Sequence, residues 1–391
     1  MSSRFVNPAI SAVPPSAIRR FFDIAGTMKD AISLGVGEPD FITPFPVRNS
    51  AIDSLLDGET QYTANSGILP LRKEIANYLS TRFLLRYDPE YEILVTVGAS
   101  EAIDIALRAL ARPGDEVLIP EPCYISYQAC TLFAGAVPVP VPTRSESNFE
   151  LLADDLEARI TPRSRILILS YPSNPTGAVM PLDRLKAIAE LAIKHDLFVI
   201  CDEIYSELCY DSFRQQSIAS LPGMRERTMV VSGFSKAFAM TGFRLGYLCA
   251  PAEIVMACSR IHQYTIMCAS RQSQVASYNA LKLGRESDYA DVIRMRESYD
   301  RRRRLMYSAF LGMGLDCFEP KGAFYTFPSI RRTGLSSEVF CERLLKEYHV
   351  VCVPGNAFGP SGEGHIRCCY ATATDKLMEA FDRISTFLGT L

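Results

Sequence analysis

The segment SGFSKAFAMTGFRLG, residues 232–246, carries one lysine and one arginine among small and apolar residues. Lys236 follows the apolar run 229–231, which is typical of a buried strand, and Arg244 comes eight positions later. A lysine held out of water can lose its proton and act as a nucleophile or a base. An arginine can bind a phosphate through two parallel hydrogen bonds. A surface lysine is the alternative, and the rest of the chain decides between the two.

Three more polar residues follow apolar runs that are typical of strands. Asp202 would be a partly desolvated carboxylate, which needs a positive partner. Asn174 lies in YPSNPTG, a loop that two prolines and a glycine restrict, and Ser100 lies at a helix start whose N–H groups could bind an anion. Taken singly, each could be an ordinary helix cap or turn. Together with Lys236 and Arg244 they suit an aldehyde cofactor that carries a phosphate and a ring nitrogen.

The elements that position these residues form an alternating pattern from residue 92 onward. Predicted strands cover 93–97, 116–120, 137–141, 165–170, 197–202, 229–232 and 245–249. Predicted helices cover 100–111, 126–133, 151–159 and 182–194. Strands that alternate with helices in this way predict βαβ units and a largely parallel sheet. Such sheets bind ligands at the carboxyl ends of their strands.

The pattern changes after residue 251. A helical pattern runs with breaks over 252–310, and its charged run 294–304 contains acidic residues, as expected of a solvated helix face. Beyond it, short strands are predicted at 323–327, 350–353 and 366–370, with helices at 336–347 and 374–387. This part predicts a separate α+β layer. The N-terminal segment, with a predicted helix over 15–24, is expected to pack with it.

Composition argues against several classes of protein. The 391 residues carry a formal charge of −3, so no basic surface is expected for nucleic acid or for a membrane. The N-terminus lacks a signal-peptide pattern, and no apolar run reaches the ~20 residues that span a bilayer. The 12 cysteines are scattered and form no CxxC pair beside which any of the 4 histidines could stand, which predicts reduced thiols, no metal site and a cytoplasmic location.

Eight motifs, taken in order, resemble the class I and II aminotransferases of fold type I, which depend on pyridoxal 5′-phosphate. They are LGVGEPDF (34–41), QYTANSGILPLR (61–72), VGASEAI (97–103), EPCYISY (121–127), YPSNPTG (171–177), CDEIY (201–205), SGFSKAFAMTGFRLGY (232–247) and VPGNAFGPSGEGHIR (353–367). The resemblance covers nearly the whole chain. It implies an α/β fold with a large domain, 46–285, built on a mostly parallel seven-stranded sheet. Residues 1–45 and 286–391 would form a smaller α+β domain.

The resemblance implies catalytic roles for Lys236, Asp202 and Tyr205. Lys236 would bond covalently to the cofactor aldehyde and later carry the substrate proton. Asp202 would keep the pyridine nitrogen protonated, which makes the ring an electron sink. Asn174 and Tyr205 would hydrogen-bond to the phenolic oxygen of the ring. Tyr124 would stack on the ring face.

The resemblance also implies a pocket for the cofactor phosphate. Ala99, Ser100, Ser235 and Arg244 would form it within one chain. Tyr62 would reach the phosphate of the neighbouring subunit. A homodimer with shared active sites is therefore expected.

The implied reaction moves an amino group from an L-amino acid to a 2-oxo acid, with 2-oxoglutarate as the expected acceptor. Arg367 would bind the substrate α-carboxylate, with help from the Gly37 backbone and Asn174. Because both substrates would use one site, the kinetics would be ping-pong. The enzyme would serve amino-acid metabolism, in a biosynthetic process.

The amino donor stays open among aspartate, aromatic amino acids and N-acetyl-diaminopimelate. Ser100 stands where some relatives that accept aspartate and prephenate carry a lysine, which argues against that pair. Arg271 could bind a distal carboxylate across the subunit interface, although a solvent-facing helix start is the favoured interpretation.

Three rival functions compete with that of an aminotransferase. A C–S β-lyase would share the fold and the cofactor, and none of the site residues excludes it. A binding module related to transcription regulators would need an added DNA-binding domain, for which the match leaves no room near the N-terminus. A nicotinamide-dependent Rossmann enzyme would need GxGxxG after its first strand, and GVGEPD lacks the third glycine.

Overall fold

The computed structural model describes residues 5–11, 13, 28 and 30–391, so the predicted helix over 15–24 lies outside the described residues. The helices are α1 (Pro8–Ser11), α2 (Phe45–Leu56), α3 (Leu69–Phe83), α4 (Gly98–Leu110), α5 (Ser126–Phe133), α6 (Ala153–Glu157), α7 (Leu182–Lys194), α8 (Ala252–Thr265), α9 (Arg271–Glu286), α10 (Ala290–Gly312), α11 (Ser337–Tyr348) and α12 (Thr374–Leu388). The strands are β1 (Ile32–Ser33), β2 (Ile93–Thr96), β3 (Glu116–Glu121), β4 (Val137–Pro142), β5 (Ser164–Ser170), β6 (Phe198–Asp202), β7 (Thr228–Gly233), β8 (Gly246–Cys249), β9 (Tyr325–Thr326), β10 (Val350–Val351), β11 (Val353–Pro354) and β12 (Ile366–Cys369).

The main sheet has seven strands in the order β2-β8-β7-β6-β5-β3-β4. Strand β8 runs antiparallel to β2 and β7, and the other neighbouring pairs are parallel. The mostly parallel seven-stranded sheet is therefore confirmed. The predicted strands lie within two residues of the observed ones, because their apolar runs are continuous and end at polar residues.

Strand β5 shows why the sheet is parallel and covered on both faces. Ile166 and Ile168 pack into the apolar core on one face, whereas Leu167 and Leu169 pack into the core on the other. All four are nearly inaccessible to solvent. A strand that is apolar on both faces needs helices on both sides, which βαβ connections provide.

Helices α2 and α3 were not part of the sequence-based pattern. In α2 the side chains of Ile52, Leu55 and Leu56 are more than half exposed in the single chain, so its apolar residues do not form one inward face. Both helices begin with a proline in the first turn, at Pro46 and Pro70, which is a usable start signal. The pattern over 252–310 proves to be three helices, α8 to α10.

The smaller layer joins both ends of the described chain. Strand β1 pairs in parallel with β10, where Ile32 lies opposite Val350, and β9, β12 and β11 form an antiparallel sheet. Ile32, Leu34 and Val350 share one apolar core with Phe324 of the same layer. The N-terminal strand thus packs with the C-terminal part, as expected. The domain boundaries at 45/46 and 285/286 stay predictions.

Among the described residues, helices are too short or too polar to cross a membrane.

Candidate active site

The carboxyl ends of the parallel strands open into a cavity of about 440 Å³. Each residue predicted to form the site lines this cavity except Tyr62. The lining residues from the prediction are Gly37, Ala99, Ser100, Tyr124, Asn174, Asp202, Tyr205, Ser235, Lys236, Arg244 and Arg367. They follow β2, β3, β5, β6 and β7 of the main sheet or belong to the smaller layer. The fold therefore brings together side chains that are up to 330 positions apart in the chain.

Lys236 lies in the turn that follows β7, with its side chain inside the cavity. Its Nζ donates a hydrogen bond to the Gly37 carbonyl oxygen at 2.6 Å. Burial, with smaller contributions from the guanidinium groups of Arg367 and Arg244, lowers the pKa of Lys236 to about 8. An amine with this pKa loses its proton readily near neutral pH, as a nucleophile or a base must.

Asp202 is the last residue of β6 and is buried. Its Oδ2 accepts a hydrogen bond from Tyr127 Oη at 2.7 Å, and its Oδ1 accepts one from the Ile204 N–H at 3.2 Å. Burial raises the pKa of Asp202, and the hydrogen bond from Tyr127 is the strongest opposing influence. No salt bridge to Asp202 occurs in the described part of the chain. Tyr127 and its neighbour Ser170 were missed by the sequence analysis.

Arg367 lies in β12 and points into the cavity between two aromatic rings. Its guanidinium carbon lies 4.6 Å from the centre of the Tyr325 ring and 4.8 Å from that of Phe358. Its Nη1 donates to Asn174 Oδ1 at 2.8 Å, and its Nη2 donates to the Gly35 carbonyl oxygen. The Gly37 carbonyl oxygen accepts from Lys236, and the predicted help of the Gly37 backbone in binding the substrate carboxylate stays a prediction.

The opposite end of the cavity is formed by the first turn of α4, which contains Ala99 and Ser100. N–H groups in a first turn have no carbonyl four residues earlier in the helix, so they can bind an anion. Arg244 lies over this turn: a Cβ at Gly98 would stand 2.7 Å from Arg244 Nη2. Ser235, which is buried, completes this end.

The carboxylate of Glu101 stabilises the start of α4. One of its carboxylate oxygens accepts from the Val97 N–H, and the other lies 2.6 Å from Nδ1 of the buried His262. The hydrogen bond from the Val97 N–H caps α4, whose first residues have no other side-chain cap. The motif VGASEAI contains Glu101, but the sequence alone predicts no role for Glu101 or His262.

Two tyrosines of the predicted site meet other aromatic residues. Tyr205 Oη lies 2.8 Å from Tyr325 Oη, so the two hydroxyls share a hydrogen bond. Tyr124 packs edge-to-face on Tyr127, with ring centres 5.6 Å apart. Tyr325 links the smaller layer to the site, and it too was missed from the sequence.

Two predicted residues lie outside this cavity in the single chain. The side chain of Tyr62 is 78% exposed. Arg271 begins α9 and its Nε lies 3.2 Å from a carboxylate oxygen of Glu59. The roles predicted for both involve a second subunit, and they stay predictions.

A family model described as "Aminotransferase class I and II" matches residues 29–384. The chain belongs to this family. It is therefore an aminotransferase that depends on pyridoxal 5′-phosphate, and the class I and II fold accounts for the arrangement of the cavity.

Individual relatives agree with this assignment. The chain is 52% identical to a Bacillus subtilis protein with the provisional name aminotransferase YugH, over 98% of both chains. It is 46% identical to the aspartate aminotransferase of Pyrococcus abyssi, over 97% of both chains. A crystal structure of the aromatic aminotransferase from Pyrococcus horikoshii superposes with a TM-score of 0.90 at 45% identity, covering 95% of this chain and 99% of that one. These relatives are aminotransferases by name, so they support this activity and not the lyase alternative.

The cavity of this aminotransferase fits its cofactor in charge and in hydrogen bonding. Asp202 is a buried carboxylate that forms no salt bridge within the described residues, and a protonated ring nitrogen would supply one. Arg244 and the first turn of α4 offer donors to a phosphate at the other end. The Nε of Arg367 is buried without a hydrogen-bond partner in the described structure, so the guanidinium has a donor to spare for a carboxylate.

Proposed function

We propose that this aminotransferase transfers the amino group of an L-amino acid to a 2-oxo acid with Lys236 as the covalent anchor and proton carrier. Arg367 binds the α-carboxylate of either substrate. The observation that carries this proposal is the placement of both side chains in one cavity, one with a lowered pKa and the other with an unused donor.

Residues of this chain would hold the cofactor at three points, which are the aldehyde, bound by Lys236, the ring nitrogen and the phosphate. Pyridoxal 5′-phosphate supplies an aldehyde that bonds to amines and a cationic ring that stabilises negative charge at the substrate Cα. Asp202 holds the proton on the ring nitrogen. Arg244, Ser235 and the backbone N–H groups of Ala99 and Ser100 bind the phosphate.

The remaining contacts orient the ring. Tyr205 Oη and the side-chain amide of Asn174 bind its phenolic oxygen, while Tyr124 covers one face. Because Asn174 also accepts a hydrogen bond from Arg367, the group that positions the ring and the group that positions the substrate are held together.

Lys236 moves the proton that distinguishes amino acid from 2-oxo acid. With an amino donor bound, Lys236 Nζ would be the base that takes the proton from the substrate Cα and holds it for return. A positioned base of this kind contributes about 10²- to 10⁴-fold to the rate. The second substrate binds to Arg367 after the first has left, which predicts ping-pong kinetics.

The donor is an aspartate, aromatic or N-acetyl-diaminopimelate type amino acid, and 2-oxoglutarate is the acceptor to test first. Three cations line the cavity within the described chain: Lys236, Arg244 and Arg367. Each already has a role, so none is left for the distal carboxylate of aspartate. The single chain thus favours an aromatic donor, and a strong preference for aspartate would require a cation such as Arg271 from a second subunit.

The active unit is a homodimer. Ile52, Leu55 and Leu56 expose apolar surface along α2, and Tyr62 follows this helix in the chain with most of its side chain exposed. Exposed apolar patches of this kind are typical of subunit interfaces. Tyr62 contributes to the partner's phosphate site.

A panel of amino donors with 2-oxoglutarate tests the proposal, with glutamate formation as the readout. We expect activity with at least one of the three donor types and none for Lys236→Ala. The exposed Lys194, changed to alanine, serves as the control and keeps wild-type activity. Pyruvate and ammonia released from cystathionine without a 2-oxo acid would favour the lyase, and an active Lys236→Ala enzyme would overturn the assignment of Lys236.

A further inference from the structure

Tyr127 lies between Ser170 and Asp202 in the wall of the cavity. Its Oη is 2.8 Å from Ser170 Oγ and 2.7 Å from Asp202 Oδ2. Tyr127 is 1% exposed and Asp202 is 4% exposed, so water competes little for these hydrogen bonds. The three side chains come from α5, β5 and β6, and Ser170 lies directly opposite Asp202 in the parallel pair of strands.

The direction of these hydrogen bonds follows from the number of protons. A phenol carries one proton and can donate one hydrogen bond at a time. An ionised Asp202 can only accept, so Tyr127 donates to it and in turn accepts from the Ser170 hydroxyl. The result is a relay that runs from Ser170 through Tyr127 to Asp202, and both carboxylate oxygens are held because Oδ1 accepts from the Ile204 N–H.

We propose that Tyr127, supported by Ser170, is a positioning residue that orients the Asp202 carboxylate toward the ring nitrogen of the cofactor and keeps it ionised. This inference rests on the role proposed above for Asp202. It adds two side chains that act through Asp202.

The electrostatic environment of Asp202 explains why such a donor is needed. Burial alone raises the pKa of this carboxyl group, and Tyr127 opposes burial more strongly than the Ile204 N–H or Lys236 does. The other titratable groups that interact with Asp202 are Glu203 and Cys201, and burial raises the pKa of both. Without the Tyr127 hydroxyl, Asp202 would be protonated at a higher pH, and a neutral carboxyl group cannot pair with a cationic ring.

A phenylalanine at position 127 isolates the hydroxyl from the ring. It keeps the edge-to-face packing on Tyr124 and removes only the relay. Tyr171→Phe is the matched control, because Tyr171 is equally buried and donates a single hydrogen bond, at 2.9 Å, to the Phe149 carbonyl oxygen away from Asp202. Both variants lose one buried phenol donor, so their apoproteins should lose similar stability.

The experiment measures the dissociation constant of pyridoxal 5′-phosphate from the apoprotein as a function of pH. Hydrogen bonds to charged groups are worth enough to change an equilibrium about tenfold or more. We expect Tyr127→Phe to weaken cofactor binding by about tenfold at neutral pH, with the loss growing as pH falls, and Tyr171→Phe to leave binding unchanged. Ser170→Ala should have a smaller effect, and in the Tyr127→Phe background it should have none.

Three outcomes would overturn the relay or its premise, and they can be told apart. Wild-type affinity in Tyr127→Phe, while Asp202→Asn loses affinity, would overturn the relay and leave the role of Asp202 intact. A further loss from Ser170→Ala in the Tyr127→Phe background would show that Ser170 does not act through Tyr127. Wild-type affinity in Asp202→Asn would overturn the proposed role of Asp202 itself.

Discussion

Arg367 and Asn174 are joined by a hydrogen bond of 2.8 Å between Nη1 and Oδ1, across the boundary between the smaller layer and the main sheet. Arg367 lies in β12, and Asn174 lies in the loop after β5. The residue proposed to bind the substrate carboxylate is therefore oriented by a residue proposed to bind the cofactor. A displacement of one layer relative to the other would therefore lengthen or break this hydrogen bond.

Replacing Arg367 with lysine should raise the KM for amino donors. A lysine cannot form two parallel hydrogen bonds with a carboxylate, and it would lose the contacts to Asn174 and Gly35. We expect kcat/KM to fall about 100-fold, with cofactor affinity unchanged. Arg343→Lys, on the surface of α11, is the control. Equal kcat/KM for Arg367→Lys and wild type would contradict the role of Arg367.

Gly98→Ala should weaken cofactor binding through Arg244. Gly98 has a φ of +76°, and its new Cβ would meet Arg244 Nη2 at 2.7 Å. Gly58 has a φ of +73° with open space around it, so Gly58→Ala carries the same backbone strain, about 1–2 kcal/mol, without the clash. We expect both variants to lose stability in urea and only Gly98→Ala to bind pyridoxal 5′-phosphate about tenfold more weakly. Equal cofactor affinity in the two variants would contradict the placement of Arg244 at the phosphate.

The lowered pKa of Lys236 predicts how the stability of the apoprotein depends on pH. Burial holds this pKa at about 8 in the folded chain, whereas an unfolded lysine keeps a pKa near 10.4. Between these values the unfolded chain binds more protons, so the contribution of Lys236 to the free energy of unfolding rises with pH. Below pH 8 Lys236 is charged in the folded chain, and its burial then lowers the free energy of unfolding the most.

Lys236→Met tests this sign, because it keeps the side-chain length without the charge. We expect the variant apoprotein to be more stable than wild type at pH 7 in urea, and the difference to shrink from pH 8 to pH 10.5. Lys194→Met, at an exposed site, should show no such trend. A constant difference between Lys236→Met and wild type would mean that the Lys236 pKa is not lowered.

Mixing two inactive variants tests whether Tyr62 serves the partner's active site. A heterodimer of Lys236→Ala and Tyr62→Ala chains would contain one intact site, so random mixing should restore roughly a quarter of wild-type activity. Tyr205 lines the same cavity as Lys236 within one chain, so mixing Lys236→Ala with Tyr205→Phe should restore nothing beyond the Tyr205→Phe residual. If mixing Lys236→Ala with Tyr62→Ala chains restored no activity, the proposal that two subunits share each active site would be contradicted.

Part of this site follows from the order of elements. Lys236, Asp202 and Asn174 each come after an apolar run, and in a parallel sheet the carboxyl ends of neighbouring strands meet at one edge. Tyr127 and Ser170 could not be found in this way. Ser170 faces Asp202 because β5 and β6 pair in one particular register, and Tyr127 reaches both from a helix whose orientation depends on packing.

Helices α2 and α3 could not be predicted from hydrophobic periodicity. Hydrophobic periodicity marks a helix when its apolar residues face one core. Ile52, Leu55 and Leu56 of α2 instead point away from the core of their own chain. The apolar residues of α2 therefore do not repeat with the period of a single buried face. Only Pro46, in the first turn, marks where the helix starts.

The sequence by itself determined the alternation of strands and helices, the residues at the strand ends and, through its ordered motifs, the family and the cofactor. These features depend on neighbouring residues or on residue identity at known spacing. Only the tertiary structure decided which groups touch: the Gly35 carbonyl oxygen accepts from Arg367, and Tyr127 donates to Asp202. Such contacts join residues far apart in the chain, so they depend on strand register and on how the two layers pack, and local sequence specifies neither.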